Sequence, residues 1–385
     1  MRNVLILGGR APVALDHARR FQRQGWKVHV ADSIPCRLAG WSRSVEATLP
    51  LASPRYAPMA FVEDINAALR VHAIDLVVPT CEEVFYLSRY RNLLPAGVRV
   101  LAGDFDTLRT LHSKWHFIEA AQGCGAIVPE SRRVSSMAEA RAWAGTGPVV
   151  LKPEYSRFGV HVRIHPQGLP IRTRELEVAG SWVAQQYHAG TELCSYGIAD
   201  RGRLLAHAVY RPSYRIQRSS SYYFEPHACE EIRSFVSLFV RKMDFTGQIS
   251  FDWIQGEDGG ATVIECNPRA TSGLHLFADD DALPAALMGE ADGCVEPIHA
   301  RPAMIAAIML SAGFYQALAG STLPRWRHDY RRARDVIARP HDRSPLAGGL
   351  LDLGSYARLA VRQGCNLREA ATRDIEWDGE CLSPT

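Results

Sequence analysis

This 385-residue chain has little lysine. Of its 44 basic residues only Lys27, Lys114, Lys152 and Lys242 are lysines; the rest are arginines. In such a chain a retained lysine marks a position suited to a compact ammonium, where a forked guanidinium would not fit. Net charge is also scarce: a formal +3 is too small to point to nucleic acid. No apolar run approaches the ~20 residues of a membrane span. The start, MRNVLILGG, runs into a fold-like pattern instead of a leader. The nine cysteines are dispersed and form no C-x-x-C pair, which argues against a disulfide frame or zinc site and for reduced thiols in a cytoplasmic protein. Internal repeats and low-complexity linkers are absent. A hydrophobic content of 47% and a charged content of 22% fit a globular chain of two or three domains.

What is present centres on residues 244–274, DFTGQISFDWIQGEDGGATVIECNPRATSGL. Two alternating segments flank a turn-rich GEDGG connection, the pattern of a β-hairpin. Side chains alternate along a strand, so Glu265 and Asn267 share a face, and Asp252 can lie opposite them. Two carboxylates and an amide oxygen make a hard-oxygen site suited to Mg²⁺. One acidic hairpin by itself is more often a solvated surface hairpin; the surrounding chain decides against that.

Residues 1–105 alternate short apolar strands (4–7, 27–31, 76–79, 98–101) with helical patterns, which argues for a parallel sheet. The turn Gly8-Gly9-Arg10-Ala11-Pro12 is not G-x-G-x-x-G, and it reads as a tight turn beside a substrate pocket. Thr80, Glu82 and Glu83 follow a strand, where they either cap a helix or touch substrate. Apolar positions across 106–122 form one helical stripe that carries Lys114. Lys152 ends the strand of VVLKP, and the following loop holds Ser156 and Gly159, whose backbone N–H groups and hydroxyl can cover phosphates. Residues 211–229 read as an irregular polar and aromatic loop with Arg211, Arg215 and Arg218 available to anions, or as solvated surface. Glu231–Met243 is an amphipathic helix. Residues 300–320 look helical, and 325–343, with Asp329, Asp335 and Asp342 among arginines, read as a solvated, ion-paired segment.

With these residues in view the chain resembles the ATP-grasp superfamily, in the branch of the carbamoyl-phosphate synthase large subunit, biotin carboxylase and amino-acid ligases. The likeness covers roughly residues 1–300. It implies an α/β ATP-grasp fold with four parts: a Rossmann-like pre-ATP-grasp domain over 1–105, a small lobe over 106–188, a large lobe over 189–300 and a C-terminal helical extension over 301–385. It implies ATP and two Mg²⁺ as cofactors, with Mn²⁺ able to substitute. By resemblance Lys114 reaches the α-phosphate and Lys152 the α/β-phosphates, and residues 153–160 close over them. Gln185, Gln186 and Tyr187 read adenine, and Glu192 binds ribose. Asp252, Glu265 and Asn267 hold the metals, and Arg269 steadies the transferred phosphate. A homodimer is a further implication.

The chemistry implied is ATP-dependent joining of a small-molecule carboxylate to an amine through an acyl phosphate, with Lys152, Glu265 and Arg269 as the catalytic set and no membrane or nucleic-acid partner. The alternatives are a bicarbonate-activating carboxylase or phosphotransferase on the same clamp, and a nucleotide-binding regulator without turnover. No biotin-attachment or glutamine-amidotransferase segment accompanies the motifs. Cys266 should point away from the ligand face, and His207 and His275 are the histidines to test as bases.

Overall fold

The computed structural model describes residues 1–157, 161–171, 174–176, 180–216, 221–297 and 300–382. The first 105 residues build a parallel sheet of β1 (Asn3–Leu7), β2 (Lys27–Asp32), β3 (Ala47–Pro50), β4 (Leu76–Val78) and β5 (Arg99–Val100), in the order β3-β2-β1-β4-β5. Val4 to Leu7 and Leu76 to Val78 are wholly buried, as strands covered on both faces require. The edge strand β3 escapes a search for apolar runs because its residues alternate between half-buried and exposed. The chain order reverses at β1 and β4, where a doubly wound sheet opens a crevice beyond its strand C-termini.

A second, antiparallel sheet contains β6 (Ser131–Val134), β7 (Val149–Pro153), β8 (Arg163–His165) and β9 (Trp182–Gln186), in the order β6-β9-β7-β8. The third is the largest: β10 (Thr191–Asp200), β11 (Arg203–Pro212), β12 (Tyr223–His227), β13 (Gly247–Gln255), β14 (Ala261–Asn267), β15 (Ala303–Met304) and β16 (Arg334–Asp335). Its order is β14-β13-β10-β11-β12-β15-β16, so two strands from beyond residue 300 extend it. The helix Glu230–Lys242 buries Ile232, Val236, Phe239 and Val240. Phe239 meets Phe251 edge-on at 5.3 Å, a geometry that aromatic quadrupoles favour.

Three expectations need correction. The helical stripe over 106–122 is two helices, Phe105–His112 and Lys114–Gly123. Ser113 breaks it by capping the second: its hydroxyl accepts from the His116 N–H at 3.1 Å. The 211–229 segment is not irregular throughout, because β12 lies within it and Tyr222, Tyr223 and Phe224 are buried. The 325–343 segment is ion-paired but not solvated at its acids. Asp329 is buried and accepts from the Tyr214 hydroxyl at 2.8 Å, and buried Asp342 pairs with Arg19 at 2.9 Å. Among the described residues no helix is long and apolar enough to cross a membrane.

Candidate active site

A cavity of about 610 Å³ is walled by the second and third sheets, the turns after β1 and β4, and the C-terminal tail. The β13–β14 hairpin supplies two of its acids. Asp252 sits opposite Glu265, and Ser250 opposite Asn267. The register then slips: Trp253 pairs with Val263, which leaves Ile264 without a partner in the ladder. Such a bulge twists the strand locally and frees a backbone group. Here the freed carbonyl of Ile264 accepts from Lys152 Nζ at 3.0 Å. The amide of Asn267 donates to Asp252 Oδ2 at 3.2 Å and accepts from Arg269 Nη2 at 3.2 Å.

Two of the four lysines converge here. Lys114 and Lys152 are 2% and 3% exposed, so Lys114 is not a solvated helix lysine. Its Nζ donates to the Ser156 carbonyl at 2.7 Å and lies 3.3 Å from Glu265 Oε1. Lys152 and the three hairpin ligand candidates line the cavity; Lys114 and Ser156 stand behind its wall. Burial pushes Lys152 down to about 8, against the pull of Glu265. Burial, reinforced by the charge of Glu265, pushes Asp252 up to about 6. Burial also works to raise Glu265, but Lys114 and Lys152 together outweigh it and hold that carboxyl low.

Two half-buried carboxylates facing each other repel, and a divalent cation among their oxygens would relieve that repulsion. The donor set, two carboxylates and an amide oxygen, fits Mg²⁺. Among the described residues no group of three or more His, Cys, Asp or Glu side chains is gathered for a metal; the hairpin set is smaller, being completed by an amide.

At the opposite wall Gln185, Gln186 and Tyr187 all border the cavity. They differ in exposure: Gln185 is buried and its amide donates to Ser131 Oγ at 3.1 Å, whereas Gln186 is exposed. Val150, Ile164, Leu193 and, from the hairpin itself, Ile254 and Ile264 also line the cavity. They form an apolar slot that motif reading missed. Its signal was the period of two: Val150 shares a strand face with Lys152, and Ile254 with Asp252. Glu192 also borders the cavity and is ion-paired with Arg215. Gly159 and Arg218 lie outside the described residues.

The first sheet closes the far end. Gly8 adopts φ +72°, and a Cβ there would stand 2.6 Å from Thr80 Oγ1, so the turn is tight enough to require glycine. Arg10 is not free for a ligand phosphate, since Asp32 and Asp374 both pair with it; Asp32 is thereby committed to protein. The acids after β4 divide their labour. Glu83 Oε1 accepts from the Thr80 and Cys81 amides, each at 2.9 Å, and so ties the start of its helix to the turn after β4. Glu82 instead borders the cavity, 3% exposed, with its Oε1 lacking a hydrogen bond and 3.8 Å from Arg269 Nε.

The histidines singled out are elsewhere. His275 is buried against Asp16 at 2.8 Å, and His207 is buried in β11; neither borders the cavity. Alternation misjudged neither side chain's polarity, only its address. Cys266 is buried in the core, on the side away from Glu265.

No protein-family model matches the chain, and no curated protein matches it. Solved structures do. N5-carboxyaminoimidazole synthetase from Staphylococcus aureus, complexed with ADP, is 14% identical, with a TM-score of 0.62 over 82% of this chain and 86% of that one. The biotin carboxylase domain of Hydrogenobacter thermophilus 2-oxoglutarate carboxylase, in complex with MgADP, ADP and bicarbonate, is 14% identical, with a TM-score of 0.55 over 71% and 65%. L-amino acid ligase from Bacillus licheniformis is 16% identical, with a TM-score of 0.55 over 79% and 80%. At these identities the likeness is one of fold.

Proposed function

We propose that this chain, which has the ATP-grasp fold, is a cytoplasmic ATP- and Mg²⁺-dependent ligase. It would join a small-molecule carboxylate to an amine and release ADP and phosphate. The observation that carries this reading is the pairing of Asp252 with Glu265 across the hairpin, with the ammonium groups of Lys114 and Lys152 against the same carboxylate wall.

ATP would lie along the cavity, between the rim at Gln186 and the hairpin. The apolar slot would take adenine, with Gln186 and the backbone at Tyr187 reading its edge and Glu192 accepting from ribose hydroxyls. Asp252, Glu265 and Asn267 would hold Mg²⁺, which when bound neutralises phosphate charge and polarises the γ-phosphoryl group. Lys152 supplies a compact positive charge at the phosphates, and a polyanion there would lift its depressed pKa. Arg269, anchored by Asn267, faces the region between hairpin and first sheet, where it would steady the phosphoryl group in transfer. The carboxylate oxygen attacks the γ-phosphorus as ADP leaves. The amine nitrogen then attacks the acyl carbon, phosphate leaves, and the nitrogen loses a proton. No protein nucleophile is required.

Bicarbonate is the second reading for the activated carboxylate, favoured by the bicarbonate held in the H. thermophilus structure. Mg-ATP incubated with pooled carboxylates and amines, with ADP and AMP separated by chromatography, tests both. ADP release that needs a carboxylate and an amine together supports the ligase. ADP release driven by bicarbonate alone supports the second reading. AMP and pyrophosphate would overturn both.

A further inference from the structure

The C-terminal tail borders the cavity through Ala371, Thr372, Ile375 and Glu376. Trp377 anchors it. The indole is 1% exposed and packs against Phe85 at 5.1 Å, Tyr155 at 5.2 Å and Phe105 at 5.4 Å. Its backbone N–H donates to Glu82 Oε2 at 3.3 Å. The Tyr86 hydroxyl donates to the Glu376 carbonyl at 2.7 Å. Gly379, at φ +89°, lies against the Tyr155 ring so closely that a Cβ would stand 2.5 Å from it. The tail is therefore docked by packing, by backbone hydrogen bonds and by the Asp374–Arg10 pair, none of which depends on the Glu376 side chain.

So held, it presents two carboxylates to Arg157, in the segment that follows Lys152. Arg157 Nη2 lies 2.5 Å from Glu376 Oε2 and 3.0 Å from Asp378 Oδ1, while Nη1 pairs with Glu82. The residue before Arg157 is Ser156, whose carbonyl accepts from Lys114 Nζ at 2.7 Å; that ammonium is 3.3 Å from Glu265. Contacts thus run without a gap from Glu376 through Arg157 and Ser156 to Lys114 and the metal hairpin.

We propose that Glu376 is a positioning residue of the active site: it fixes Arg157, and through the Ser156 carbonyl it sets where the Lys114 ammonium stands. The argument turns on the difference between the two cations. A guanidinium is a rigid fork that carboxylates can lock in one orientation, whereas an ammonium on a four-carbon stem takes its position from whatever acceptor it meets. Locking Arg157 locks the adjoining peptide, and that peptide's carbonyl is the acceptor for Lys114. The benefit to nucleotide binding rests on the ligase reading above; the placement of Lys114 does not.

The scarcity of lysine supplies a test that needs no nucleotide. Each of the four lysines can be followed separately by mass spectrometry after timed acylation with an amine-reactive ester. Lys27 and Lys242 are exposed and serve as internal references, and buried Lys152 reports any general opening. In Glu376→Gln, Lys114 should acylate about three- to thirtyfold faster, the range expected for a coupling carried along a contact network, with Lys152 unchanged. In an Arg157→Gln background the same substitution should add nothing. MgADP affinity, read by calorimetry, should fall by a similar factor. Equal Lys114 rates in wild type and Glu376→Gln would overturn the proposal, as would parallel acceleration of Lys152. If Glu376→Gln does not fold, Asp378→Asn at the more exposed arm should give the same pattern at smaller size, and its absence there would overturn the proposal equally. A wild-type chain that binds no MgADP would sink the ligase reading, and the acylation rates would still decide the role of Glu376.

Discussion

The two ends of the cavity handle charge in opposite ways. At the hairpin the groups are held against their preference: Lys152 is pushed down to about 8, and Asp252 up to about 6. At the first sheet and tail the buried arginines are met by carboxylates. Arg10 is buried between Asp32 and Asp374, and Arg157 between Glu82, Glu376 and Asp378. Burial opposes both arginines, yet their carboxylate partners prevail and raise their pKa. A buried charge without full compensation costs stability, so an uncompensated cluster is one arranged for a guest. A compensated cluster is framework. On the ligase reading proposed above, the hairpin end would carry the chemistry and the tail end the architecture.

The largest effect should come from the hairpin. Glu265→Gln keeps the shape but removes the charge that faces Lys114, and it should cut turnover at least about a thousandfold, roughly 4 kcal/mol of barrier. Steady-state ADP release checks this, with thermal melting to show an intact fold. Wild-type turnover in the variant would break the assignment of the hairpin. Trp377→Ala probes the other end. Removing a buried indole should lower unfolding free energy by about 3–5 kcal/mol in a denaturant titration. A shift under about 1 kcal/mol would mean that the tail is a passenger and that the contrast is wrong.

A pH prediction sharpens the same division. Burial pushes the Glu83 carboxyl up from 4.5 to about 7, although the Cys81 and Thr80 amides pull it back. The folded chain therefore keeps a proton that the unfolded chain releases, and the stability from this group is full below pH 4.5. It declines as pH rises through about 7 and changes no further above that. Glu83→Gln should flatten that part of the stability–pH curve, measured by urea unfolding from pH 4 to 8. An unchanged slope would mean that Glu83 is ionised where it meets the Thr80 and Cys81 amides.

Much of the hairpin end was legible in the sequence because its parts are local. Asp252, Glu265 and Asn267 fall within one hairpin, where alternation places Glu265 and Asn267 on one face and Asp252 can lie opposite; Arg269 follows two residues later. Lys152 precedes its loop directly. The tail end was not legible in that way. Glu82 and Trp377 meet across 295 positions, and no periodicity links them. The run RDIEWDG offers a tryptophan among acids, a composition that reads as surface until Phe85 and Tyr155 are found beneath it. The Ser113 break was concealed for another reason: the apolar stripe continues through it, and only the capping hydroxyl divides the helix. His207 and His275 misled because polarity near a motif in sequence says nothing about which side of a sheet faces the ligand.

The smallest expected effect lies at the rim, and it tests whether the contrast depends on burial or merely on pairing. Arg215 pairs with Glu192 as closely as Arg157 pairs with its acids, but the Glu192 side chain is 51% exposed. Solvent screens such a pair, and ordering two side chains offsets most of its attraction, so Arg215→Ala should change unfolding free energy by less than about 1 kcal/mol. Arg157→Ala should cost several times more, because it strands buried carboxylates. The two variants remove the same atoms, but Arg157 lies deeper and meets three carboxylates where Arg215 meets one. If they destabilise equally in one denaturant series, pairing alone governs these clusters, and the line between a framework end and a working end cannot be drawn from charge.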